Sequence, residues 1–110
     1  GKDLGMPEAL VLAKLVEGSE VLKTLNFGHH RQLDLPKLRG TDSVTSLDLA
    51  RKDLGPASAT VIASLIAGNG VLTTLVLEGN DIRDEGAAAI AEALRGNGVL
   101  TDLNLYNNII

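Results

Sequence analysis

Apolar residues recur along this chain with two periods that take turns. The shorter period is two. Leu47 and Leu49 flank Asp48, Leu75 and Leu77 flank Val76, and Leu103 and Leu105 flank Asn104. Such alternation predicts short strands whose leucines face inward while the residues between them face outward. Val44, Leu72 and Leu100 precede these pairs and complete a pattern L-x-x-L-x-L, with Leu47, Leu75 and Leu103 spaced by 28. An earlier copy stands at Leu22, Leu25 and Phe27, only 22 residues before the next. The strand copies therefore fall near 22–27, 44–49, 72–77 and 100–105.

The longer period is helical. In PASATVIASLIAG (56–68), Ala59, Ile62, Ala63 and Ile66 share one face at i, i+3, i+4, i+7. Pro56 suits a first helical position and Gly68 a C-terminal cap. In DEGAAAIAEALRG (84–96) the face recurs 28 residues on as Ala87, Ile90, Ala91 and Leu94. Asp84 and Glu85 suit the start of that helix and Arg95 its end. The opening matches too. KDLG at 2–5 reappears at 52–55, and Leu12, Ala13, Leu15 and Val16 match Ile62, Ala63, Leu65 and Ile66, so a third helix is predicted over 6–17.

Each unit is then strand, loop, helix, turn. Strands that run the same way should pair in parallel through right-handed crossovers. Strands stack about 4.8 Å apart and helices about 8–10 Å, so a stack of both must bend with its strands inside. No unit can bury its apolar face alone, and neighbours supply the core.

The pattern L-x-x-L-x-L-x-x-N-x-I at 28-residue spacing, joined to an alanine- and leucine-rich helix, resembles the ribonuclease-inhibitor-type leucine-rich repeat over essentially the whole chain. The resemblance implies an α/β fold, a curved leucine-rich-repeat solenoid with parallel strands on the concave face and helices on the convex face. It implies a non-catalytic protein–protein interaction module that binds a partner through the concave face or the solenoid ends. The alternatives are a regulator of an enzyme such as a small GTPase or a nuclease, and a structural subunit buried in a large assembly. In that family an asparagine forms a ladder of hydrogen bonds from repeat to repeat, a role that Asn80 and Asn108 fit. Lys52 and His30 stand at the equivalent places and cannot replace it, so the ladder should be weak or absent in the first half.

The segment HHRQLDLPKLRGTDSV (29–44) breaks the pattern, with Pro36 and no alanine-rich helix. It resembles a shorter repeat type in which Leu35, Pro36, Lys37 and Leu38 lay a brief turn on the convex side. The alternative is that LDL at 33–35 forms a strand of its own.

Length and charge narrow the partners. A chain of 110 residues is one domain, 1–110. Its net charge of −4 argues against nucleic acid and anionic membranes, which favour a basic face. No apolar run approaches the roughly 20 residues of a membrane span. The absence of cysteine fits a reducing, intracellular (cytoplasmic) setting. The start, GKDLGMPEAL, lacks an initiator Met and does not resemble a signal peptide. Neither end carries the polar cap that a solenoid needs, so the chain reads as a fragment of a longer array, or as a subunit that self-associates or assembles through uncapped ends.

Candidate chemistry is thin. GNGVL has the glycines of a phosphate loop, but they close a helix instead of opening one, and they read as turn residues that supply positive φ. The acids of GNDIRDEG (79–86) do not follow calcium-loop spacing. His29 and His30 with Asp34 suggest a transition metal, yet adjacent strand residues face opposite ways. No nucleophile has a base beside it, so no enzyme and no cofactor are expected. What remains is the set of outward strand positions, which should form columns across the repeats: Thr24, Ser46, Thr74, Asp102; Asn26, Asp48, Val76, Asn104; Gly28, Ala50, Glu78, Tyr106; and His29, Arg51, Gly79, Asn107. From these, Asp48, Arg51, Glu78, Asp102, Asn104 and Tyr106 are the candidate partner-binding residues. An exposed aromatic beside an arginine and acids is the sort of group that anchors protein interfaces.

Overall fold

Helix α1 (Met6–Glu17) is followed by strands β1 (Thr24–Asn26) and β2 (Gln32–Asp34), the short helix α2 (Leu35–Arg39), and then three strands alternating with two helices. These are β3 (Ser46–Asp48), α3 (Gly55–Ile66), β4 (Thr74–Val76), α4 (Arg83–Arg95) and β5 (Asp102–Asn104). The computed structural model describes residues 6–19, 21–26 and 32–109, with the side chains of Met6 and Pro7 left aside.

Strands β3, β4 and β5 form a parallel sheet in that order. Its register aligns Leu47 with Leu75 and Leu75 with Leu103, so residues 28 apart lie side by side. Two of its inter-strand bonds run from the Leu49 N–H to the Val76 carbonyl and from the Leu77 N–H to the Asn104 carbonyl, both 2.9 Å. Each α3 or α4 crossover supplies the length that parallel pairing requires. The leucines of the central repeat, Leu72, Leu75 and Leu77, are fully buried with Ile82. Helices α1, α3 and α4 pack beside one another, with α3 between the other two. Helix α3 is accordingly buried on most of its circumference, from Ser58 to Ala63 and at Leu65 and Ile66.

The first half departs from the expected pattern. Strand β1 does not extend the parallel sheet. It pairs antiparallel with β2, Leu25 opposite Leu33, in a separate two-stranded sheet. Connection length sets the sense of that pair: parallel pairing needs a crossover of about a dozen residues or more, whereas the five residues between Asn26 and Gln32 allow β1 and β2 to meet only antiparallel. The separate strand over part of 33–35 is thus the reading that holds, and the shorter-repeat reading is corrected. Leu33 and Leu35 both enter the core. The Leu35–Leu38 stretch does form a brief helix, started by Asp34, whose carboxylate accepts from the Lys37 N–H, and closed by Gly40 at φ 87°. Residues 29–31, with His29 and His30, lie outside the described residues.

Two further expectations need correction. The glycines and asparagines of the GNGVL turns do not adopt positive φ; Gly96, for instance, closes α4 at φ −99°. On α4 the buried face holds Gly86, Ile90 and Ala93, while Ala91 is exposed. Ala63, its counterpart on α3, is buried because α4 covers it; no described helix covers α4 in turn.

Candidate protein-binding surface

The loops that follow the parallel strands share one backbone course. Positive φ recurs at Arg51, Asp53 and Gly55, at Gly79, Asp81 and Arg83, and at Asn107 and Ile109, in register at 28-residue spacing. Most of these are not glycine, and each holds a conformation that disfavours a side chain by about 1 kcal/mol or more. Buried asparagines stabilise it. Asn80 Oδ1 accepts from the Lys52 N–H at 2.9 Å and the Leu54 N–H at 3.3 Å, and its Nδ2 donates to the Leu49 and Leu77 carbonyls at 2.7 and 3.0 Å. Asn108 repeats the arrangement one strand on, accepting from the Asn80 N–H at 2.8 Å and donating to the Leu77 carbonyl at 2.9 Å. In the first half, Lys52 takes part through its backbone N–H alone, its side chain serving no ladder.

A second asparagine pair sits at the opposite ends of the strands and was not singled out from the sequence. Asn69 donates to the Lys37 and Leu38 carbonyls, both 3.0 Å, and accepts from the Val71 and Leu72 N–H groups at 2.8 and 2.9 Å. Asn97 does the same one repeat later, donating to the Ile66 carbonyl at 2.8 Å and accepting from Val99 and Leu100. The signal was present in the repetition of Asn itself at a spacing of 28, the spacing of Asn80 and Asn108.

On this scaffold three of the candidate residues meet. Arg51 Nη2 lies 2.6 Å from Glu78 Oε2, and Asn104 Nδ2 donates to Glu78 Oε1 at 3.2 Å. Glu78 therefore links the repeat before it to the repeat after it. Gly79 lets Arg51 reach across: a Cβ there would stand 3.2 Å from Arg51 Cγ. The Arg51 side chain remains 74% exposed, so the pair is a surface contact worth well under ~1 kcal/mol to stability. Tyr106 has a fixed backbone and a free ring. Its N–H donates to Asn104 Oδ1 at 2.9 Å, its carbonyl accepts from the Gly79 N–H at 3.0 Å, and the residue is 74% exposed. Asp48 is exposed and accepts from the Ala50 N–H of its own loop at 3.0 Å, and Asp102 is exposed at the start of β5. The columns shorten at the first repeat. Ser46, Thr74 and Asp102 align, as do Asp48, Val76 and Asn104. Thr24 and Asn26 instead face Asp34 and Gln32 across the antiparallel pair.

Elsewhere, Arg83 is held above its ordinary pKa by a hydrogen bond to Asp81 and by that carboxylate's charge. Among the described residues no three histidine, cysteine or acidic side chains come together as a metal site. No described helix is long and apolar enough to cross a membrane.

Comparison with known proteins adds one finding. The family model described as Leucine Rich repeat matches residues 68–91. This stretch begins at Gly68 and runs through Asn69, β4 and Asn80 into α4. The chain thus carries a leucine-rich repeat at its centre, within a mixed α/β fold. No curated protein and no solved structure matches.

Proposed function

We propose that the chain is a non-catalytic protein-interaction module of the ribonuclease-inhibitor-like, 28-residue repeat type, a short curved solenoid that meets its partner on the strand side. The observation that carries the reading is the Arg51–Glu78–Asn104 linkage beside the exposed Tyr106 ring. A rigid backbone there presents an aromatic, a cation and an acid across three successive repeats, with Tyr106 and the Arg51 side chain largely exposed and Glu78 mostly covered between its partners. Rigid aromatic and arginine side chains lose little entropy on binding and anchor interfaces for that reason. A regulator of an enzyme such as a small GTPase or a nuclease would use the same groups against its target. An intracellular setting is part of the proposal, and the absence of cysteine is what supports it.

Affinity capture with quantitative mass spectrometry tests the proposal. The wild-type chain is compared with Tyr106→Ala, Arg51→Ala and Glu92→Ala, the last an exposed change on α4. The two strand-side variants should lose the same captured proteins severalfold while the α4 variant keeps them and all melts agree. Equal capture by all four chains would move the interface off the strand side.

A further inference from the structure

The parallel sheet has an open edge in the interior of the chain. Strands β4 and β5 each lie against the strand before them. Strand β3 does not: among the described residues nothing pairs with its outer edge. Helix α1, the β1–β2 pair and α2 all precede β3 in the chain, and β1 is engaged with β2. We infer that this edge docks an extended segment of a partner protein, which adds as a parallel strand with an aliphatic side chain beside Leu47 and a lysine or arginine beside Asp48.

The later strands show which groups the edge offers. Thr45, Thr73 and Thr101 stand 28 residues apart. The Thr73 and Thr74 N–H groups donate to the Thr45 carbonyl at 2.8 and 3.1 Å, and the Thr73 hydroxyl joins them at 3.1 Å. One repeat on, the Thr101 and Asp102 N–H groups and the Thr101 hydroxyl donate to the Thr73 carbonyl at 2.9, 3.0 and 3.3 Å. The corresponding donors on β3 are the Thr45 and Ser46 N–H groups and the Thr45 hydroxyl, and no described residue accepts from them. Three donors thus face the place of one missing carbonyl. Farther along, the Leu49 and Arg51 N–H groups donate to the Val76 and Glu78 carbonyls, both 2.9 Å. Alternation along the ladder then turns the backbone of Ser46 and Asp48 the other way, toward the open side. Thr45, Ser46 and Asp48 are exposed, whereas Thr73, Thr74 and Val76, one strand in, are half-buried. An extended chain is the ligand that answers main-chain donors and acceptors at this spacing.

Side chains decide which segment stays. Leu47 is half-buried, whereas Leu75 beside it in the same row is fully buried. An aliphatic residue on the open side of Leu47 takes the rest of that surface out of water. On the outward face Asp48 has Val76 as its neighbour on β4 and forms no ion pair among the described residues. Arg51 does not neutralise it, because its guanidinium is held by Glu78 at 2.6 Å. A cation on the added strand therefore makes a favourable cross-strand pair with Asp48, and an anion a repulsive one. Strand β3 is only three residues long. Its main-chain bonds alone hold a segment weakly, and the leucine and aspartate contacts supply the selection. This edge is separate from the strand-side surface proposed above: Tyr106 follows β5, two strands away.

Fluorescence anisotropy with short labelled peptides tests the inference. One peptide carries leucine, lysine, leucine at successive positions in an otherwise polar sequence, and a second has glutamate in place of the lysine. The chain should bind the lysine peptide, and the glutamate peptide severalfold more weakly. Asp48→Lys should reverse that order. Within the sheet the leucines donate to the next strand, as Leu49 does to Val76. N-methylation of both leucine nitrogens of the peptide should therefore weaken binding about tenfold or more, whereas N-methylation of the lysine nitrogen, which faces away, should leave it unchanged. Ser46→Pro removes an outward N–H and no bond to β4, and should lose affinity while melting near wild type. A chain that binds neither peptide overturns the inference, as do equal affinities for the two methylated forms or an order that Asp48→Lys does not reverse. A chain that dimerises in place of binding peptide, and does so less as Ser46→Pro, gives the edge to a second copy and overturns it too. Tyr106→Ala should bind the peptide as wild type does while losing the captured proteins, so either proposal can fail without the other.

Discussion

Replacing Asn69 with alanine should destabilise this protein more than a single polar residue in a turn usually does. The Asn69 side chain holds four backbone groups: the Lys37 and Leu38 carbonyls, and the Val71 and Leu72 N–H groups. Two of these bonds, to Leu38 and Leu72, are buried, and the other two are partly so. A buried backbone group left without a partner costs about 1–3 kcal/mol, while a partly buried one recovers much of its bonding from water. The sum for Asn69→Ala is roughly 3–5 kcal/mol, against a total stability of about 5–15 kcal/mol for a domain. The same structure supplies the comparison. Asn97 makes the equivalent bonds one repeat later, all of them partly buried, and its acceptor, the Ile66 carbonyl, also receives the Asn69 N–H at 3.0 Å. Asn97→Ala should therefore cost only about 1–2 kcal/mol. Urea unfolding followed by far-ultraviolet circular dichroism measures both, with midpoints compared at a common slope. A loss below about 1 kcal/mol for Asn69→Ala, or equal losses at the two sites, would refute the view that burial of the orphaned groups sets the penalty.

Leu75→Asp places a carboxylate at a fully buried position shared by three strands, and should abolish the cooperative melt; a retained transition would sink the repeat packing. Two glycines separate backbone strain from crowding. Gly55 stands at φ 76° with nothing within 4 Å of an added Cβ, so Gly55→Ala should cost about 1 kcal/mol through φ alone. Gly86→Ala drives a Cβ to 2.5 Å from Ile82 Cγ2 and 3.0 Å from Ala59 Cβ, and should cost about 1–3 kcal/mol despite the better helix former. Thermal melts rank the pair, and a stabilised Gly86→Ala would mean that α3 and α4 separate with little resistance.

Much of this architecture is local and was legible in the amino acids. Alternation at Leu75–Val76–Leu77 marks a strand because successive side chains must face opposite ways. The spacing of Ala59, Ile62, Ala63 and Ile66 marks a helix because those positions share a face. The helix predicted over 6–17 forms there, since its periodicity lies within one contiguous segment. The recurrence of both signals at 28 residues places strand beside strand with Leu47, Leu75 and Leu103 in one row.

Other features depend on which segments meet, and only the tertiary structure decided them. Strand β1 carries a leucine motif like that of its successors, yet it pairs antiparallel with β2 across a five-residue link and takes no place beside β3 in the parallel sheet. Arg39 spans two elements, donating to the Val16 and Leu22 carbonyls at 2.7 and 2.9 Å, and nothing in its own neighbourhood announces those partners. Ala91 and Ala63 share a register position, but one is exposed and the other buried because only α3 has a described helix on that flank. The meeting of Arg51, Glu78 and Asn104 likewise joins residues 26 or 27 positions apart. Periodicity determines which face of an element turns inward; pairing, connection length and the neighbour across the gap determine what that face finds there.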